Sequence, residues 1–570
     1  MTLRVWAPHA RSLVLRSGDA DTPMTGPDAD GWWSGPALAP GNDYAFIVDG
    51  AGPFPDPRSA WQPHGVHGAS RVFDASTFAW SDAGWAGRDA RGAVTYELHV
   101  GAFTPEGTLD SAAERLPELA ATGIEMVSLM PIAPMPGERG WGYDGVSLYA
   151  VHEPYGGPAA LQRFVDAAHG AGVGVTLDVV YNHLGPDGNY LAKFGPYFTD
   201  AHHTPWGWAV NLDQPGSAEV RRYFIENALR WFRHFHVDAL RLDAVHELHD
   251  DSPRHFLAEL ADAVAGLSRT LGRPLSLVAE SDRNDPATVT PASGGGLGLT
   301  AQWADDVHHA LHTYLTGERH GYYVDFGSVE VLDHAYRHVF VHDGGYSTFR
   351  GKNWGAPVPD DIDRQRFVVF AANHDQIGNR ALGDRPAATL TPAAQATSLA
   401  FVLLSPFTPL LFMGEEYGET RPFQFFTDHV EPLGSAVTRG RLAEFSTHGW
   451  EDLYGGSIEV PDPQAASTFD ASRVDPSAAG TPQDELRAWF AALIAARPRV
   501  LAPGAWERHP VSVMESAQRV VTLAGPVTVH ANLSSEPVAF EGKLLEAFGD
   551  VAEREGKLHL APQSVALTIS

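Results

Sequence analysis

From about residue 93 the chain settles into a rhythm that few folds can accommodate. Short apolar runs alternate with longer amphipathic stretches. "AVTYELHV" precedes a helical pattern near 109–121, "IEMVSLM" one near 158–171, "VGVTLDVVYNH" one near 217–235, and "VDALRLDAV" one near 254–271. "LSLVAES", "LTAQWADD", "FVVFAANHD" and "TPLLFMGEE" continue the series, with helical stretches interspersed. Apolar runs of this length between helical periods read as parallel strands covered on both faces. Eight strand candidates between helical segments are the arithmetic of a (β/α)8 TIM barrel. A doubly wound sheet shares the alternation but needs a Gly-rich phosphate turn after its first strand. "ELHVGAFTPEG" does not fit that turn.

The flanks keep a different rhythm. Residues 1–90 hold short alternating pieces such as "LRVWAP", "SLVLRS", "GWWSG" and "DYAFIVDG", followed by a connector punctuated by Pro53, Pro55, Pro57 and Pro63. That pattern predicts a small N-terminal β-sandwich of the immunoglobulin or carbohydrate-binding-module kind. After a last helical stretch near 484–497, strand-like pieces ("RVVTLAG", "VTVHANL", "VALTIS") return. The expected organisation is therefore a β-sandwich over 1–90, a barrel over 91–498 and a small β-domain over 499–570.

Charge narrows the partners. Lys and Arg number 40 against 70 Asp and Glu, a formal net charge of −30, which repels nucleic acid phosphates and anionic membranes and suits a neutral substrate. The absence of cysteine removes disulfides, thiolate metal sites and cysteine nucleophiles. With no signal-peptide pattern and no apolar run of membrane-spanning length, a cytoplasmic location is the expectation.

In a barrel, the carboxyl ends of the strands face the active-site mouth. Those ends carry Asp178, Asn182 and His183, then Arg241 and Asp243, then Glu280, then His374 and Asp375. Arg241 and Asp243 are two apart on a strand and share a face, opposite Leu240 and Leu242. They form either a structural ion pair or a catalytic carboxylate with its charge partner. Three acids converging from three strands favour the second reading. Glycoside hydrolysis with retention needs two carboxyl groups about 5–5.5 Å apart, one nucleophile and one acid/base. Asp243, beside a cation, is expected to stay ionised as the nucleophile. Glu280, on the apolar "SLVAES" and near two other acids, is expected to hold a proton as the general acid. Asp375 is placed to bind sugar hydroxyls and stabilise the cationic transition state, with His183 and His374 hydrogen-bonding the same ring.

"DVVYNH" (178–183), "LRLDAVH" (240–246), "VAES" (278–281) and "AANHDQIGN" (371–379) resemble, in order, the four motif regions of the α-amylase superfamily, glycoside hydrolase family 13. The resemblance implies Asp243 as nucleophile, Glu280 as acid/base, Asp375 as transition-state stabiliser, and Arg241, His183 and His374 around the cleaved bond. "VWAPHA", "DPRSAWQPHGVHGASRV" (56–72), "YELHVGAFTPEGT" (96–108), "RGWGYDGV" (139–146), "NHDQIGNRALGDR" (373–385) and "PFQFFTDH" (422–429) are similar to the branch that cleaves the α-1,4 bond next to the terminal trehalose of maltooligosyltrehalose. Such an enzyme acts after a maltooligosyltrehalose-forming enzyme. The rivals are a glucan branching or debranching enzyme of the same superfamily and a silent glucan-binding protein; the last typically loses one or more of the acids, and here all three stand.

Aromatic faces stack on sugars, which makes Tyr143 in "WGYDG" and Trp206 in "TPWGWAVNLD" candidates; Trp141 reads as packing. His246 and Glu247 are placed beside the leaving sugar. Asp282, Arg283 and Asn284, just past the acid/base, are placed at the trehalose end. "DDVHHALH" sets His308 and His312 on one helical face, but no Glu stands in the HExxH position, so a zinc site is not expected. By the resemblance Asn182 corresponds to a calcium ligand in many α-amylases, yet the segment supplying other ligands is short. No required metal and no cofactor are expected.

Overall fold

The computed structural model describes residues 2–569 apart from 446–452, 455, 457, 478, 479 and 518. Eight parallel strands close into a barrel. They are β1 (Thr95–Leu98), β2 (Met126–Leu129), β3 (Gly174–Val179), β4 (Ala239–Leu242), β5 (Ser276–Ala279), β6 (Ala301–Trp303), β7 (Phe367–Phe370) and β8 (Thr408–Phe412). Each pairs with its neighbours in sequence, and β8 returns to β1 with Leu410 opposite Thr95. All eight apolar runs are strands, and the (β/α)8 barrel is the observed fold.

The runs are apolar throughout because both faces are covered. Met126, Ala239, Val278, Ala301, Trp303, Val368, Phe370 and Leu410 form one buried cluster. Their alternates, among them Val127, Leu129, Leu177, Leu240, Leu242 and Leu277, join the larger core under the helices. The helices fall where the amphipathic stretches predict, at Gly157–Gly170, Ser217–His234 and Phe256–Leu271. One differs. The pattern near 109–121 is two short helices, Leu109–Ala113 and Leu116–Ala121. Pro117 stands in the first turn of the second, where its missing N–H costs nothing but cannot continue the first.

Ahead of the barrel, Thr2–Trp6 pairs with Trp32–Ala37. A second antiparallel sheet runs Ala20–Pro23, Leu13–Ser17, Asp43–Val48 and Ala51–Phe54, and Ser70–Arg71 also pairs with Asp43–Val48. This β-domain is locked to the segment after β3. Trp6 meets Tyr197 edge-on at 5.3 Å and Phe46 meets Phe194 at 6.1 Å. Gly195 lies so close to Trp6 that a Cβ there would stand 2.6 Å from the indole, so no side chain fits. Beyond the barrel, helix Thr481–Ala496 leads to a five-stranded and a three-stranded antiparallel sheet. Among the described residues no helix is long and apolar enough to cross a membrane.

Candidate active site

The parallel register of β3 and β4 sets Asp178 directly beside Arg241. Arg241 shares the inward face with Ala239, and its guanidinium lies buried over the Trp303 ring, 4.5 Å from the centroid. Nη1 donates to Asp178 Oδ2 at 2.7 Å and to Asp243 Oδ1 at 2.9 Å. Nη2 stands 3.0 Å from Glu280 Oε2. The pair expected between Arg241 and Asp243 is thus one edge of a four-member cluster. Strand alternation revealed only the residues on one strand; Asp178 and Glu280 come from the strands on either side.

The other oxygen of Asp243 is also held. Asn182 Nδ2 donates to Asp243 Oδ2 at 2.8 Å and to its carbonyl at 2.7 Å. The residue corresponding to a calcium ligand elsewhere in the superfamily here holds the neighbouring carboxylate. Immediately after Asp243 the backbone turns through Ala244 at φ 36°, ψ 54°, a left-handed conformation that costs a non-glycine residue of order 1 kcal/mol. The turn aims the Ala244 N–H at Glu280 Oε2, 2.7 Å away. Glu280 is therefore not in the apolar setting that "SLVAES" suggests. It sits beside a guanidinium and an amide donor, with two further carboxyls close by. The carboxyl that burial, reinforced by Glu280 and Asp375, pushes up to about 8 is Asp305, at the end of β6. Burial raises Asp375 as well, against the opposing pull of His374. Burial and their neighbouring carboxyls thus push both Asp305 and Asp375 toward the protonated form.

His374 anchors the opposite side. Glu97, on β1, accepts from His374 Nδ1 at 2.8 Å and from its backbone N–H at 3.0 Å. Burial works against the charged imidazole, but Glu97 and Asp375 overcome it and raise the pKa to about 9. Nε2 then donates to Tyr143 Oη at 2.7 Å, and Tyr143 donates to Asp178 Oδ2 at 2.8 Å. Tyr143, stacked on His374 with centroids 5.4 Å apart, is thereby bound to the same cluster as Arg241. Because the folded value exceeds the ordinary 6.5, the stability His374 contributes is complete below about pH 6.5 and lost as pH rises through about 9. Glu97→Gln is expected to move the alkaline fall of kcat/KM about one to two pH units lower, in a profile taken from pH 6 to 10. An unmoved alkaline limb would show that this pair does not govern it.

His183 comes to the site with both ring nitrogens engaged: Nδ1 at Asn182 Oδ1 and Nε2 at the Tyr143 carbonyl, 3.0 Å away. In this state neither nitrogen is free for a sugar hydroxyl. The ring offers a face, on which Trp206 stacks at 4.1 Å. Trp141 is buried, with Nε1 donating to the Gln424 carbonyl at 3.0 Å. His246, Glu247, Asp282 and Arg283 gather on one rim: His246 Nε2 lies 4.0 Å from Glu247 and 3.9 Å from Asp282, and Arg283 Nη2 donates to the His246 carbonyl at 2.6 Å. Asn284 turns inward instead, where its Nδ2 donates to Asp306 at 2.9 Å. Asp282 is met from a distant loop by Arg350 at 3.3 Å and by Trp354 Nε1, which donates to its carbonyl at 2.7 Å.

Sequence reasoning left Glu97, Asp305, Arg350 and Trp354 out of the site. Glu97 carried a signal, being an acid inside the apolar strand "TYELHV". Arg350 and Trp354 carried none, since they lie about 70 residues beyond the loop they meet. His308 and His312 spend their nitrogens on the Ala371 carbonyl, Tyr323 and Glu318. Among the described residues, one group of side chains is spaced to hold a cation: His202, Asp213 and Asp251. They already pair with each other, His202 Nε2 lying 2.7 Å from Asp213 and 3.8 Å from Asp251.

Known proteins can now be set beside this geometry. The family model for the α-amylase catalytic domain matches residues 71–210. A malto-oligosyltrehalose trehalohydrolase of Arthrobacter ramosus is 50% identical over 576 residues, covering 99% of this chain and 98% of the relative. One from Rhizobium sp. (strain M-11) is 45% identical over 580 residues, covering 99% and 96%. A crystal structure of a putative α-amylase from Salmonella typhimurium superposes with a TM-score of 0.88 at 37% identity, covering 100% of this chain and 97% of that one. With likeness of this degree along its whole length, the chain belongs to the malto-oligosyltrehalose trehalohydrolase family of the α-amylase superfamily.

Proposed function

We propose that the chain is a retaining glycoside hydrolase that cleaves the α-1,4-glucosidic bond next to the terminal trehalose of maltooligosyltrehalose. The products are trehalose and a maltooligosaccharide shortened by that unit. Family membership supports the reaction and the substrate. The observation that carries the mechanism is the sharing of one guanidinium by Asp243 and Glu280, from adjacent strands.

In this reading Asp243, its two oxygens held by Arg241 and Asn182, attacks the anomeric carbon as a carboxylate. Glu280 gives its proton to the glycosidic oxygen, and trehalose leaves. Glu280 then takes a proton from water, which displaces Asp243 and restores the α-configuration. Asp375 and the charged His374 bracket the ring, and Tyr143 supports it from the side. Arg241 supplies a fixed positive charge 2.9 Å from the nucleophile.

Incubation with maltotriosyltrehalose tests the function. Trehalose and maltotriose are the expected products; branched glucan would mark a branching enzyme, and no turnover a silent glucan-binding protein. The rim of His246, Glu247, Asp282 and Arg283, tied to Arg350, lies past the acid/base and so on the side of the leaving trehalose. Arg283→Ala is accordingly expected to raise KM for maltotriosyltrehalose several-fold, and more than for a plain maltooligosaccharide; equal effects would remove Arg283 from trehalose recognition. The same reading puts the enzyme in the cytoplasm, consuming the product of a maltooligosyltrehalose-forming enzyme. Cell fractionation with a trehalose-release assay checks it.

A further inference from the structure

The chain carries 70 acidic against 40 basic side chains, yet one cavity gathers arginines. Its volume is about 400 Å³, and it lies between the N-terminal β-domain and the barrel helix Ser217–His234. No residue of the barrel mouth lines it. Arg4 and Arg71 come to it from strands of the β-domain, Arg58 from the proline-rich connector, and Arg230 from the end of the helix. The aspartates on the same walls offset little of this charge. Asp56 spends both oxygens internally, accepting from Tyr44 Oη and from the Arg58 N–H, each at 2.8 Å, and burial raises its pKa. Asp74 Oδ1 accepts from the Ser76 N–H and Oγ at 3.0 and 2.6 Å, which leaves Oδ2 without a hydrogen-bond partner among the described residues.

Three of the four arginines are paired. Arg4 meets Asp28 at 2.8 Å, Arg58 meets Glu226, and Arg71 grips Asp43 through bonds of 2.6 and 3.0 Å. Arg230 has no carboxylate partner among the described residues, and its Nε and Nη2 are enclosed without an acceptor. What answers its charge is the rings of Phe235 and Trp231, 5.1 and 5.8 Å from the guanidinium carbon. Burial lowers its pKa to about 10, so it is still a cation near neutral pH. A guanidinium taken from water without a counter-charge is destabilising, and an alkyl side chain would fill the place without that penalty. An anion that enters the cavity supplies the charge the fold leaves out.

We propose that this cavity is a second ligand site, for a small hydroxylated organic phosphate of the size of a sugar phosphate, with Arg230 as its anion-binding residue. Arginine is the side chain whose planar fork matches phosphate oxygens. A phosphate dianion suits the place better than a single carboxylate, because Arg4, Arg58 and Arg71 stand on the same walls. His234 lines the cavity too; burial, with Arg230 and Arg233 nearby, lowers its pKa and leaves it a neutral donor near pH 7. Asp74 Oδ2 is an acceptor for a hydroxyl on the ligand's body. The volume sits in the lower part of the range of small-molecule sites, room for one sugar and not for a glucan chain. A neutral glucan offers Arg230 no charge, so this site and the catalytic one take different ligands. An occupant touching Arg58 and Arg230 ties the β-domain to the barrel and so stabilises the fold. Neither the site nor its occupant depends on the reaction proposed above.

Calorimetric titration of the full chain with glucose 6-phosphate, inorganic phosphate, glucuronate and glucose tests the site, with Arg230→Met as the variant. Glucose 6-phosphate is expected to bind one per chain, more tightly than the other three, and to raise the melting temperature. Arg230→Met should weaken that binding about ten- to a hundred-fold, the scale of lost hydrogen bonds to a charged group. Without ligand the variant should melt at or above the wild-type temperature, since an uncompensated cation is gone; this also reports that it is folded. Binding of glucose 6-phosphate that survives Arg230→Met would place it elsewhere and overturn the proposal. Glucose binding as tightly as its phosphate, or no binding of any phosphate up to about 10 mM, would do the same. Glucuronate or inorganic phosphate binding as tightly would overturn the sugar-phosphate assignment. A variant that melts well below wild type would make Arg230 a structural cation and end its role in binding.

Discussion

Asp243→Asn is expected to abolish trehalose release from maltotriosyltrehalose, with kcat falling about 10⁴-fold or more. The substitution keeps size and shape, although its amide NH2 cannot accept, so one of the two donors, Arg241 or Asn182, loses its side-chain acceptor. What it removes is the charge and the nucleophilic oxygen. The covalent glucosyl intermediate cannot form, and Glu280 alone can only protonate the leaving group. The measurement is quantified trehalose from matched amounts of wild type and variant. Rates within ten-fold of each other would assign the nucleophile elsewhere, and Asp178, the other carboxylate on Arg241, would be the next candidate. Substrate binding should survive in the variant, which separates loss of chemistry from loss of fold.

Arg241→Met should have the largest effect on stability. The guanidinium is fully enclosed and is the cation that Asp178, Asp243 and Glu280 share. Replacing it by a neutral side chain of similar length leaves three acidic side chains without the cation they share. Removing one partner of a buried ionic cluster costs about 3–5 kcal/mol. The apparent denaturant midpoint of the barrel should drop accordingly, and activity with it. Acid should restore part of the loss, since protonating the stranded carboxyls relieves their repulsion. Adding Asp178→Asn to Arg241→Met should do the same near neutral pH. A midpoint equal to wild type would mean that Arg241 is not what holds the cluster together. Arg241→Lys is expected to keep the charge but lose one of the two nitrogens that reach Asp243 and Glu280, and so to cost more activity than stability.

The path from strand pattern to site was short for some residues and closed for others. Arg241 and Asp243 were legible because a strand has a period of two and polar residues inside an apolar run must face something. Tyr143 stood out as an aromatic after a strand end, in a stretch that matches a family motif. The environment of Glu280 was not legible. Its amide donor depends on the left-handed turn at Ala244, a backbone state that the residue type argues against. Likewise, the upward shift at Asp305 was not legible, because it comes from burial and from the nearness of Glu280 and Asp375, neither of which is a property of one strand. His183 was expected to reach for sugar, yet its nitrogens serve Asn182 and Tyr143.

What the sequence alone determined is the repeat: eight apolar runs, their order and the acids at their ends. Parallel strands covered on both faces and joined by helices leave a closed barrel as the economical solution, and a barrel delivers strand ends to one mouth. What only the tertiary structure decided is how charges are shared there. Coulomb energies and burial depend on separations of a few ångströms between β1, β3, β4, β5, β6 and β7, and on loops such as 342–354 that fold over from far along the chain. The joining of the N-terminal β-domain to the cleft belongs to the same class. It rests on a few aromatic contacts whose partners are more than a hundred residues apart in sequence.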